Sequence, residues 1–156
     1  MERDACDSFW RSYLSQLARD HPHHGMKPDA FGFGSDAALA DELAALVLAG
    51  KKRATTSLAI EFTALGERLP VVGDLSIILR GDGSPVALIE RTHVTTVPFE
   101  AVDADYAAIE GEGDGSLTYW RKAHREYFHR VCARLGGTLS DRTPVLCQVF
   151  RVVFTA

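Results

Sequence analysis

Phe9, Trp10, Tyr13, Leu14 and Leu17 recur at the spacing of one helical face, which predicts an amphipathic helix over residues 4–20. Residues 21–34, "HPHHGMKPDAFGFG", lose the period and read as a Pro- and Gly-rich loop. The helical period returns with Leu39, Leu43, Leu46 and Val47, with Ser35 or Asp36 placed to cap the start and Gly50 to end it. From residue 53 the pattern turns to β-formers in "RATTSLAIEF". Residues 71–94 then read as two strands joined at "GDGSP", with Leu75, Ile77 and Leu79 alternating with Ser76, Ile78 and Arg80. A short helix is expected near Asp103. A longer one follows from about Ser116, with Leu117, Trp120, His124, Phe128, Val131 and Leu135 on one face and Gly136-Gly137 at its end. "PVLCQVFRVVF", residues 144–154, reads as a final strand. Helices flanking runs of strand predict an α+β fold, and five or more mostly antiparallel strands in so short a chain can close into a small β-barrel with helices around it.

Composition narrows the class. A chain of 156 residues with 46% hydrophobic residues is long enough for one globular core, and no linker or repeat divides it. A single compact domain is therefore expected, with residues 1–30 as an N-terminal helix and loop packed on a main body of residues 31–156. No apolar run approaches the roughly 20 residues that span a bilayer, so no membrane partner is expected. Cys6, Cys132 and Cys147 are too few and too scattered for a disulfide framework or a zinc site, which fits a reduced, cytoplasmic setting. Seventeen basic against twenty-one acidic residues leave a net charge of −4, which disfavours a protein that lives by coating nucleic acid.

Three stretches carry candidate chemistry. In "GKKRATTS", Lys51, Lys52 and Arg53 follow a helix end whose negative dipole they complement. A sharper reading is that Lys52 lies three residues before Thr55 across a turn. A lysine that gives up its proton there can activate the hydroxyl as a nucleophile. In "IEGEGDGS", Glu110, Glu112 and Asp114 alternate with glycines before a helix capped by Ser116. They are either a solvated loop, oxygen ligands for a hard cation, or the source of one inward general acid/base. The helix after Ser116 carries Arg121, Lys122, Arg125, Arg130 and Arg134 against Glu126 alone. This charge is either a solvated face or a phosphate footprint, with Trp120 available to stack on a base. His124 falls on the apolar side, as a core histidine or as a ligand. Glu90 sits among apolar strand residues, where a carboxylate needs a basic partner or a function. His21, His23 and His24 form a loop cluster expected at the surface. No metal and no cofactor is expected.

"GKKRATTS", "LPVVGDLSIIL", "ALIERTHVTTVPFEAV" and "EGEGDGSLTYWRKAHREYF", in this order, resemble an ASCH-domain protein of the longer bacterial type. The resemblance covers about residues 30–155 and implies a PUA-like barrel around a central cleft. It also implies an amidohydrolase that removes the acyl group from N4-acetylcytidine, with Lys52, Thr55 and Glu110 as the catalytic residues. Lys51, Arg53, Thr56, Glu90, Ser116, Trp120 and His124 are then the expected substrate-binding residues. Within "EGEGD", Glu112 and Asp114 are expected to matter less than Glu110. RNA as a partner, through binding or cleavage, and a non-catalytic module that holds modified nucleosides are the alternatives, and the net negative charge tips the reading to the amidohydrolase.

Overall fold

A computed structural model describes residues 2–156. Among them are five α-helices and five strands, an α+β fold: α1 Glu2–Leu14, β1 Asp29–Phe31, α2 Ala37–Leu48, β2 Ala54–Leu58, α3 Ala59–Ala64, β3 Leu75–Leu79, β4 Pro85–Pro98, α4 Ala104–Glu110, α5 Leu117–Arg134 and β5 Pro144–Thr155. The strands hydrogen-bond in the order β1-β3-β4-β5-β2. The pairings of β3 with β4 and of β2 with β5 are antiparallel, and that of β1 with β3 is parallel. No helix is long and apolar enough to cross a membrane among the described residues.

The chain contacts cluster into two compact units, residues 1–50, 73–90 and 151–156 in the first and 51–72 and 91–150 in the second. In the first unit, Phe9 and Tyr13 of α1 pack with Leu75, Ile77, Leu79 and Leu88, and Phe154 closes on both aromatics. The first helix stops at Leu14, short of the expected residue 20. Asp36 caps α2 by accepting the Leu39 N–H at 2.8 Å, and Gly50 follows it in the left-handed region at φ +74°. Leu75 to Leu79 are all buried, so both faces of β3 are covered and the expected alternation is absent. Strand β1 lies in the stretch expected to be loop.

The second unit packs Leu58, Phe99, Val102, Ala107, Trp120, Phe128, Val131, Cys132 and Val145 into one apolar cluster. Asp103 caps α4 through the Tyr106 N–H, and Ser116 caps α5 through the Tyr119 N–H. Strand β2 runs directly into α3, a helix that its β-forming composition hid; Glu61 holds the junction by accepting the Leu58 N–H at 3.0 Å. The α4 and α5 caps fix where these helices begin and thereby which of their side chains face inward.

Candidate functional site

Tyr106, with Glu110 four residues on, lies on the inner face of α4, and Trp120 stands in the same relation to His124 on α5. Along β2, Ala54, Thr56 and Leu58 are buried, while Thr55 and Ser57 alternate to the other side. These phases converge on the Glu110 carboxylate, which is 2% exposed. Its Oε1 accepts from Thr56 Oγ1 and Trp120 Nε1, both at 2.7 Å. Its Oε2 accepts from His124 Nε2 at 3.1 Å and from Lys52 Nζ at 3.4 Å. Four donors occupy the roughly four lone-pair positions that a carboxylate offers.

Lys52 is fully buried. Its ammonium donates to Ala54 O at 2.8 Å, to Glu112 Oε1 at 2.9 Å and to Glu110. The backbone beneath it is fixed by Arg53 N–H donating to Ile109 O at 2.9 Å. Gly111 makes this approach possible. It ends α4 at φ +69°, and a Cβ there would lie 2.0 Å from Lys51 O.

His124 is a cation in this setting. Nδ1 faces the Trp120 carbonyl at 2.9 Å and Nε2 faces the Glu110 carboxylate. Both partners accept only, so both ring nitrogens must donate. Burial acts to lower the His124 pKa, but the hydrogen bond and charge of Glu110 outweigh it and hold the pKa above its ordinary value. The ring also stacks on Trp120, centroids 4.1 Å apart and 18° between planes, which suits a cation over an indole face. Burial likewise opposes ionisation of Glu110, yet the charges of Lys52 and His124 with the donors around it bring its pKa down to about 2. Two cations and two carboxylates thus share one buried cluster with no net charge. Tyr106 completes it, donating to Thr55 O at 2.8 Å with Thr56 Oγ1 3.0 Å away. Burial and Glu110 raise the Tyr106 hydroxyl well above its ordinary value, and the same two causes push the neighbouring Cys147 thiol up to about 12. Neither group is an available anion at neutral pH.

The structure therefore brings together Lys52, Thr56, Glu110, Trp120 and His124 of the residues singled out in the sequence. It also brings in Glu112, which was expected to matter less than Glu110, and it adds Tyr106, which sequence reasoning passed over although its i, i+4 spacing to Glu110 was a signal. The hydroxyl that reaches Glu110 is that of Thr56, while Thr55 enters through its carbonyl oxygen. Lys52 is no turn cation free of packing, since it is wholly enclosed, whereas Lys51 and Arg53 on either side are exposed. Ser116 serves as the α5 cap. Glu90 lies in the other unit, held by Arg151 through two bonds of 3.0 and 2.8 Å and 3.7 Å from His23. The expected basic partner of Glu90 is thus Arg151. Glu110, Glu112 and His124 each offer a ligand atom within 4.8 Å of the others, the spacing of a metal site. A metal there would have to displace the Lys52 ammonium and take a proton from His124, so these residues as arranged fit an ammonium better than a metal ion.

The model of the ASCH domain family matches residues 29–154. Among solved structures, the chain is similar to an ASCH domain from Lactobacillus crispatus JV V101, at 36% identity and a TM-score of 0.90, covering 96% of this chain and 94% of that one. It is also similar to protein EF3133 from Enterococcus faecalis V583, at 30% identity and a TM-score of 0.86, covering 96% of this chain and 88% of that one. No curated protein matches the chain.

Proposed function

The chain belongs to the ASCH-domain family, and on that footing we propose that it is an amidohydrolase that removes the acyl group from N4-acylcytidine-type nucleosides. The observation that carries this reading is the enclosed Lys52 ammonium, held against two carboxylates at 2.9 and 3.4 Å. An amide carbonyl that gains negative charge as it is attacked needs a donor held in a dry site, and the Lys52 ammonium supplies one by turning its Glu112 N–H to the substrate while Ala54 O and Glu110 hold it in place. The leaving cytosine amine needs a proton, and a carboxyl group beside the ammonium can relay one. The cluster carries no net charge, which suits a neutral nucleoside better than a polyanion. Water is the nucleophile in this reading, because Thr55 alternates to the other side of β2 and the Thr56 hydroxyl is committed to Glu110.

Incubation with N4-acetylcytidine, followed by ultraviolet absorbance, tests the reading. The parent protein is expected to release cytidine and the Lys52→Ala variant is not. A Thr55→Ala variant that fails as completely would make Thr55 the nucleophile in place of water.

A second reading has its own observation. Arg121, Lys122, Arg130 and Arg134 of α5 are exposed, in a family whose PUA-like fold is an RNA-binding one. RNA held by such side chains should bind with a steep salt dependence between about 50 and 200 mM, whereas nucleoside deacylation should change little over that range.

A further inference from the structure

The two carboxylates on Lys52 differ in what they have left to give. Glu110 has a donor on each lone-pair position and is 2% exposed. To accept another proton it would have to lose a bond to Thr56, Trp120, Lys52 or His124, and to reach a substrate it would have to leave its enclosure. Glu112 has one bond, Oε1 to Lys52 Nζ at 2.9 Å, and its side chain is 17% exposed. Its second oxygen carries no hydrogen bond among the described residues. It stands between two glycines, Gly111 and Gly113, both at positive φ, in a turn where no bulky neighbour screens it along the chain. A general acid/base must come within hydrogen-bond reach of the proton it moves, directly or through one water, and the partly exposed Glu112 oxygen meets that condition where Glu110 does not.

We infer that Glu112, and not Glu110, is the catalytic acid/base of the deacylation proposed above, with Glu110 as the fixed anchor that positions Lys52. The inference rests on that reading. In the forward step, a water oxygen forms its bond to the acyl carbon while Glu112 Oε2 takes one water proton. The carbonyl π pair moves to oxygen, and the Lys52 N–H that bonded Glu112 Oε1 turns to the resulting oxyanion as Glu112 is neutralised by the proton, while Ala54 O and Glu110 keep the ammonium in place. On collapse the oxyanion pair re-forms C=O and the carbon–nitrogen bond breaks with its electrons on nitrogen. Glu112 then gives its proton to that nitrogen. The products are the free carboxylic acid, which loses its proton to solvent, and the cytosine amine, with Glu112 returned to a carboxylate.

The test compares Glu112→Gln and Glu112→Ala with the parent on N4-acetylcytidine, with melting curves on all three. Glu112→Gln should lower kcat by about 100-fold or more with KM within about threefold, in the usual range for losing a general acid/base. Its folded spectrum should be retained. Formate supplied to Glu112→Ala should restore part of kcat, because a free carboxylate can take the vacated place, and this a purely structural role would not produce. If Glu112→Gln keeps kcat within about threefold of an active parent, or formate has no effect on a folded Glu112→Ala, the assignment falls and the amidohydrolase reading stands. An inactive parent overturns both.

Discussion

Glu90 and Glu110 pose the same problem, a carboxylate among apolar neighbours, and the two compact units solve it differently. In the first unit Glu90 stays 19% exposed and pairs with an Arg151 that is itself 66% exposed. In the second, Glu110 is enclosed and draws four donors from β2, α5 and the turn before β2. The units also differ in overall charge. The first holds six basic and eleven acidic residues, the second eleven basic and ten acidic. A half-exposed pair leaves solvation to water and contributes little to stability. An enclosed carboxylate must be met by fixed donors, and removing one of them exposes the desolvation cost of the rest. Preorganised charge of the second kind is what chemistry can use; the first kind joins elements.

The largest break in this contrast should come from Lys52→Met, which leaves Glu110 and Glu112 facing each other across an apolar side chain. Loss of one partner from a buried pair costs about 3–5 kcal/mol, so the melting temperature should fall by roughly 10 °C. Unfolding within about 2 °C of the parent would show that Lys52 does not hold the cluster. Gly111→Ala should come next, at about 2 kcal/mol or more. It combines left-handed backbone with a Cβ that meets Lys51 O, and differential scanning calorimetry can measure it.

The pH response should separate the units further. Glu110 is depressed from 4.5, so its contribution is present above pH 4.5 and is lost as pH falls through about 2. His124 is raised from 6.5, so its contribution is full below pH 6.5 and is lost as pH climbs through its folded value. Stability from this cluster should therefore be greatest between about pH 4.5 and 6.5 and decline above it. The decline should flatten in His124→Gln. Melting curves at matched ionic strength from pH 5 to 9 would show this, and an unchanged decline in the variant would assign it elsewhere. The smallest effect should come from Arg151→Ala. It removes the surface partner of Glu90, costs about 1 kcal/mol or less, and moves the melting temperature by only a few degrees.

Much of the fold was legible because its signals are local. Asp36, Asp103 and Ser116 are short side chains that each satisfy an N–H group three residues on, and the chain needs nothing distant for them to act. The turn between β3 and β4 and the stop after α5 are equally local. The α+β class followed from the order of those elements. Where neighbours far along the chain decide the outcome, the sequence was silent or misleading. The three residues of β1 become a strand by pairing with Ser76, Ile77 and Ile78. Leu75 to Leu79 lose their alternation because both faces are covered, and α3 follows a strand with no side-chain cap of its own.

At the site, the residue types were visible and their partnerships were not. The sequence by itself determined that Lys52, the Thr55-Thr56 pair, Glu110, Trp120 and His124 carry polar or aromatic groups at the ends and inner faces of regular elements. Only the tertiary structure decided that Thr56 rather than Thr55 meets Glu110, since a strand's two faces differ by one residue and the register on β5 chooses between them. It also decided that His124 is a cation, because its charge depends on two acceptors placed around the ring by the folded helix and by α4. Glu110 and Glu112, two residues apart in one acidic run, are chemically alike until folding surrounds the first with donors and leaves the second an open oxygen.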